Sequence, residues 1–276
     1  MINRKGGVVA NTMAVILFVF MAFPVYWMII SSFKPRADFF LETPKFLPIP
    51  ATLDNYTRVI QDKDFLSYAK NSLIVTVVVV LLSMAVAFLA ATAVARFNFK
   101  GRKTYIILLL AVQMVPFEAL LISMYVMLDS LNQVNKLTGV MISYLAFVLP
   151  FTIWTLRGFI ANVPKDLEEA AMIDGCSQGQ AFRKILFPLI APGLVSTSVF
   201  AFIMAWNEFI LANVILTDQS KQTLPVWLSQ FQGGMKEIDW GGLMAGSVLF
   251  AMPVIIFFVI VQGRIQRGAL EGGVKG

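Results

Sequence analysis

An all-α, polytopic membrane helix bundle with six transmembrane helices is the fold class this sequence predicts, and three observations predict it. Hydrophobic residues make up 58% of the 276 residues against 14% charged, with 24 Phe and 14 Met, which leaves too little polar surface to cover a water-soluble core of that length. Apolar runs recur at about 9–32, 71–95, 104–128, 137–156, 189–216 and 243–262. Each reaches the roughly 20 residues that a helix needs to cross a hydrocarbon core of about 30 Å. Backbone N–H and C=O groups in lipid must be satisfied internally, and these runs are too long and continuous for tilted barrel strands. All six are therefore expected as helices of a single domain, 1–276.

The first run, 9–32, follows Arg4 and Lys5. It exceeds the apolar core of a signal peptide and no small-x-small site follows it, so it is expected to stay as a span. The segment after it carries Pro35, Pro44, Pro48 and Pro50, and is expected to be extended and then locally helical. The second run ends in Arg96, Lys100, Arg102 and Lys103 with no acid among them, which assigns that loop to the cytoplasm. Counting outward places both termini inside, with Arg264, Arg267 and Lys275 closing the chain. The outer segment from Phe33 carries six Lys or Arg if Lys70 is included, but long loops cross largely regardless of charge.

The third run contains Pro116, which removes a helical hydrogen bond and predicts a bend lining a cavity, next to Glu118. The fourth run leads into a polar loop at 157–188, and the fifth holds Trp206, Asn207 and Glu208. Met114, Met124 and Met127 are expected as fillers of irregular helix packing rather than a gate.

Several chemistries are excluded. Cys176 is the one cysteine and there is no histidine, so disulfide frameworks, His or Cys metal clusters and imidazole triads are absent. No G-x-x-x-x-G-K-[ST] phosphate loop is present. The net charge of +6 fits anchoring at an anionic inner leaflet better than nucleic-acid binding.

The loop at 157–188 has the densest local signals. Pro164 is expected to open a helix, Asp166, Glu168 and Glu169 put negative charge at its positive end, and Gly175 supplies the stop. Leu167, Ala170 and Ala171 fall at i, i+3 and i+4, and the two alanines make that face flat enough for close approach by a partner. Ser177 and Gln180 form a capping box for a second helix, with Phe182, Ile185 and Leu186 as its apolar stripe and Pro188 as its end. An ordinary amphipathic loop lying on headgroups would share this composition.

Glu169-Ala170-Ala171, three residues, Gly175, nine residues, Ile185 and then Pro188 resemble the EAA loop of ATP-binding-cassette importer permeases. Phe187 stands where the loop usually has Leu, an apolar exchange expected to alter packing only. The resemblance runs along essentially the whole chain, through Ser32-Phe33-Lys34-Pro35, Asn55-Tyr56, Arg96-Phe97-Asn98-Phe99, Val115-Pro116, Trp206-Asn207-Glu208-Phe209 and Gly272-Gly273-Val274-Lys275-Gly276. Together these are similar to the carbohydrate-uptake subfamily, the second permease of maltose-type importers. That resemblance implies a multi-pass protein of a prokaryotic inner membrane. Its implied partners are a second permease, two cytoplasmic ATPase subunits that hold ATP and Mg, and an external binding protein. The chain itself would bind no cofactor and catalyse nothing.

In that family the helix from Lys165 to Asp174 would seat in a cleft of an ATPase subunit. Glu168, Glu169, Ala170, Ala171, Asp174, Gly175, Phe182, Ile185 and Pro188 would shape and transmit that contact. Glu118 and Glu208 are the acids inside predicted spans, where charge is costly and functional by default. With Trp206 and Asn207 they are candidates for a sugar path, the alternative being that they pair with neighbouring helices, or with the other permease, and only shape the bundle. The resemblance also implies that the partner permease can carry most of the sugar site, and that the tail from Gly263 reaches toward the ATPase interface. A di- or oligosaccharide leads as substrate. Glycerol-3-phosphate follows, although the spans carry no cations for a phosphate. A proton-coupled secondary transporter would use the two acids as relays but leaves the EAA-like loop without a role.

Overall fold

The computed structural model describes residues 4–232 and 238–272, with side chains described over 9–231 and 238–263. Helices follow one another with no strand among the described residues. In order they are α1 (Arg4–Ser32), α2 (Asp54–Gln61), α3 (Phe65–Arg96), α4 (Arg102–Met114), α5 (Leu121–Ser130), α6 (Leu137–Ala161), α7 (Asp166–Ile173), α8 (Gln178–Ala181), α9 (Phe187–Trp206), α10 (Ile210–Ile215), α11 (Leu224–Ser229) and α12 (Trp240–Gly272). Among the described residues five stretches are long and apolar enough to cross a membrane: Val9–Ser32, Phe65–Arg96, Leu137–Ala161, Gln178–Trp206 and Trp240–Gly263.

The third expected span, 104–128, is not one straight helix. Arg102–Met114 and Phe117–Ser130 meet at 91°, because Pro116 cannot donate a helical bond and holds φ at −58° with ψ at 118°. The fifth, expected to run to 216, stops at Trp206, and the short α10 restarts after residues 207–209. The closing residues 273–276 lie outside the described ones, as do the side chains of Arg4, Lys5, Arg264 and Arg267.

The chain forms two compact units. In the first, Met1–Leu66 with Trp227–Met252, α1 is apolar on every side and largely uncovered by its own chain, with Phe18, Phe20 and Met21 all more than 70% exposed. Such a helix requires lipid or a partner around it. Past Ser32 the chain makes a 3-10 turn at Arg36–Phe40, then runs extended to α2, as the prolines suggest. Buried Asn55 holds this segment. Its Nδ2 donates to the carbonyls of Ser32 at 2.9 Å and Lys34 at 2.8 Å, satisfying acceptors at and just past the end of α1.

In the second unit, Ser67–Val226 with Pro253–Gly276, α3, α6 and α9 share a core of Ala87, Ala91, Ala95, Ile153, Leu156, Ile160 and Ile190, joined by Leu186. Three alanines four residues apart give α3 a flat stripe that brings large aliphatic side chains of α6 and α9 close. Truncating a fully buried member such as Ile160 or Leu156 costs about 2–5 kcal/mol.

Candidate functional site

The loop from 157 to 188 is built largely from local hydrogen bonds. Its helix α7 begins at Asp166 with Lys165 in the cap position and no side-chain cap bond. Pro164 therefore precedes the helix rather than opening it. With no capping oxygen supplied, Asp166, Glu168 and Glu169 in the first turn balance the free N–H groups electrostatically. At the other end Gly175 sits at φ +92°, its N–H donating to Met172 O at 3.1 Å while Cys176 N–H donates to Ala171 O at 3.0 Å. This pair of bonds is a Schellman cap, and the left-handed φ is why the position takes glycine.

The capping box forms as well. Ser177 N–H donates to Gln180 Oε1 at 2.9 Å, and Gln180 N–H to Ser177 Oγ at 3.3 Å. Pro188 does not end the helix that follows. The chain passes from α8 through a π-helical turn, Phe182–Leu186, directly into α9, giving a continuous Gln178–Trp206. In the wider turn Phe187 N–H reaches Phe182 O, and Pro188 then sits in the first turn of α9, where its missing N–H is tolerated. The last part of the loop, α8 and the π turn, is thus one rod with the membrane helix α9.

Long-range contacts fix this rod to the rest of its unit. Arg96, the last residue of α3, places Nε 2.8 Å from Glu168 Oε1, with both side chains mostly buried. Its Nη2 donates to Val163 O at 3.0 Å, and Lys165 Nζ donates back to Arg96 O at 3.3 Å. Phe88 of α3 meets Phe182 at 5.5 Å and Phe187 at 5.9 Å between ring centroids. From the sequence Arg96 counts only as a vote on membrane orientation. No spacing rule links it to an acid 72 positions on, although it lies within one of the stretches that carry the resemblance.

The face expected to be Leu167, Ala170 and Ala171 divides. Leu167 and Ala170 are exposed together with Glu169, Met172 and Ile173, the last 86% exposed. Ala171 is buried within the chain itself. Ile185 is half-buried, and Asp174 is exposed at the C-terminal cap.

The four path candidates are not brought together as one site. Glu118 lies in the 3-10 turn Phe117–Leu120 and is exposed. Beside that turn, a cavity of 260 Å³ is lined by Gln113, Phe117, Met124, Phe147, Pro150 and Phe151, among others; the lining includes one of the three singled-out methionines, Met124, while Met114 is exposed. Trp206 is buried and stacks on Phe202 at 5.7 Å with the rings 9° apart, and Phe202 stacks in turn on Phe257. Asn207 is exposed at the end of α9.

Glu208 has a local task. Its Oε1 accepts from Leu211 N–H at 2.8 Å and its Oε2 from Ala212 N–H at 3.3 Å, capping α10, while its backbone carbonyl accepts from Tyr144 Oη at 3.1 Å. Both carboxylate oxygens are engaged in restarting a broken helix, which favours the bundle-shaping alternative over a proton relay. No group of three or more His, Cys, Asp or Glu that could hold a metal occurs among the described residues.

Residues 83–270 match the family described as binding-protein-dependent transport system inner membrane component. The diacetylchitobiose uptake system permease protein DasC of Streptomyces coelicolor is 44% identical over 98% of both chains. The trehalose/maltose transport system permease protein MalG of Thermococcus litoralis is 38% identical over 95% of each. Among solved structures, a bacterial ABC transporter involved in the import of the acidic polysaccharide alginate superposes with a TM-score of 0.78 at 23% identity, covering 94% of this chain and 96% of that one.

Proposed function

The chain belongs to the family of binding-protein-dependent transport system inner membrane components, and on that premise we propose that it is a permease subunit that imports a di- or oligosaccharide at the expense of ATP hydrolysed by partner subunits. The observation that carries this is the rod formed by α8, the π turn and α9. A push on the exposed face of α7 travels through the Arg96–Glu168 pair and the Phe88, Phe182 and Phe187 contacts into α3 and α9. A packed core transmits such displacement because it is dense and poorly compressible. The loop carries no nucleophile or base arranged for catalysis, only a docking face and a lever.

In this reading Leu167, Glu169, Ala170 and Ile173 enter the cleft of a cytoplasmic ATPase subunit, both termini are cytoplasmic, and a second permease completes the path. An external binding protein delivers the sugar. The relatives that transport diacetylchitobiose and trehalose or maltose support a sugar substrate.

Mass spectrometry of what copurifies with the tagged chain, followed by ATP hydrolysis of that assembly with and without sugar-loaded binding protein, tests the proposal. A second permease and an ATPase subunit with sugar-stimulated hydrolysis are expected; recovery of this chain alone would sink it. Ala170→Arg is the informative variant, because Ala170 is exposed while Ala171 is not. It should abolish ATPase copurification while shifting thermal stability by less than about 0.5 kcal/mol.

A further inference from the structure

Ser32-Phe33-Lys34-Pro35 and Asn55-Tyr56 take no part in the coupling loop, yet they build the most constrained polar region of the first unit. Besides the two Asn55 bonds to Ser32 and Lys34, Tyr56 Oη lies 2.7 Å from Ser32 Oγ, which itself donates to Ile29 O. Arg58 Nη2 donates to Asn55 Oδ1 at 2.7 Å. A Cβ on Gly241 would meet Asn55 Oδ1, so only glycine lets the start of α12 pack here. These contacts hold Lys34 buried, its ammonium 3.9 Å from the centre of the Trp27 ring.

Next to this clamp is a cavity of 230 Å³ whose walls include Trp27, Ser31, Lys34, Asp38, Lys45 and Trp240. Two of its polar atoms have no partner. Ser31 Oγ is fully buried without a hydrogen bond, and Asp38 Oδ2 is buried and unbonded while Oδ1 accepts from Lys45 Nζ at 2.7 Å. Buried polar atoms left unpaired cost enough that they normally have an occupant to bond. Burial holds Lys34 below its ordinary ammonium range, Asp38 opposing that and Lys45 adding to it.

The lining selects a chemistry. Lys34 and Lys45 repel a cation, while both ammonium groups are already engaged, Lys45 by Asp38 Oδ1 and Lys34 by the Trp27 ring, so neither is free to bind an anion. A neutral ligand with hydroxyl donors remains, able to donate a hydrogen bond to Asp38 Oδ2, share one with Ser31 Oγ, and lay a C–H face on the half-exposed indole of Trp240. The volume is below the roughly 300–1,000 Å³ of pockets for drug-sized ligands, which limits it to one ring.

We propose that this cavity is a subsite for a single neutral pyranose ring, formed by Ser31, Asp38 and Trp240. The proposal rests on the sugar-import reading and adds a sugar contact in a part of this chain distinct from the four path candidates. In the topology of that reading it opens to the outer side, where sugar arrives.

The test is saturation-transfer NMR on the assembled importer without its binding protein, with glucose, N-acetylglucosamine, galactose and mannose as probes. At least one should receive saturation on its ring C–H protons, with binding about tenfold weaker in Ser31→Ala or Asp38→Asn and weakened again in Trp240→Leu. Ser31→Ala is the control against misfolding, because Ser31 Oγ makes no structural bond. No transfer in the wild type, or equal transfer in all three variants, overturns the subsite. Sugar-stimulated ATP hydrolysis by an importer whose cavity is silent overturns the subsite alone; absence of stimulation by any sugar overturns both.

Discussion

The loop at 157–188, proposed above to couple to an ATPase subunit, and the clamp around Asn55 both fix a loop to the end of a membrane helix, by opposite means. In the coupling loop most of the geometry is set within five residues: the Schellman bonds around Gly175, the Ser177–Gln180 box and the π turn before Pro188. One ion pair and a few rings then attach the finished shape to α3. In the clamp almost nothing is local. Asn55 reaches back 23 and 21 positions to Ser32 and Lys34, and Arg58 pairs with Asp239 across 181 positions at 2.9 Å. The contrast separates two engineering problems: a lever must keep its own shape while its surroundings move, whereas a rigid wall can depend on its surroundings for shape.

Three substitutions would break or sharpen that contrast. The largest effect is expected from Glu168→Ala, which strands the mostly buried Arg96 guanidinium and should cost about 3 kcal/mol. Thermal inactivation in detergent reads the loss, and hydrogen exchange should find α7 internally protected but loosened from α3. If α7 itself melts, the loop is not the self-shaped element described. Asn55→Leu comes next, removing two donors from buried carbonyls at a cost of about 2 kcal/mol. Here increased exchange should spread to both 33–60 and the start of α12, and exchange confined to α2 would show the clamp to be local after all.

The smallest effect belongs to Gly175→Ala. A Cβ there meets no atom, so the cost is the left-handed φ alone, about 1 kcal/mol. Sugar-stimulated ATP hydrolysis should fall more than that stability loss suggests, because the turn aims α7. Unchanged coupling would mean that the aim of α7 is set elsewhere.

The same contrast explains what was legible beforehand. The capping box, the glycine stop and the acids of α7 follow rules that operate over one helical turn, so Ser177, Gln180, Gly175 and Glu169 are found where spacing places them. The bend at Pro116 is equally local, though its sharpness is not. Two expectations failed, those on the prolines and on Ala171, and for Glu208 the structure favours the bundle-shaping alternative left open above. Pro164 and Pro188 were assigned as helix boundaries by general preference, but a free Asp166 start and a π turn accommodate them differently. Ala171 carries the same local signal as Ala170 and differs only in which way the packed loop turns it. Glu208 looks from composition like a costly charge in a span, whereas the chain breaks at 207–209 and supplies two N–H groups to its carboxylate.

By itself the sequence determined the fold class, the apolar segments and the outline of the loop at 157–188, its acidic helix start, glycine stop and capping box, because hydrophobic period and capping chemistry are properties of neighbouring residues. Only the tertiary structure decided that Arg96 holds Glu168, that α8 and α9 act as one rod, that Glu208 caps a restarted helix, and that Ser31 and Asp38 face a cavity with bonds to spare. The Arg96–Glu168 pair joins residues 72 positions apart and the cavity gathers side chains from Trp27 to Trp240, which no short-range rule specifies; the rod and the Glu208 cap join near neighbours, through a π turn and a helix restart that no motif in the sequence marks.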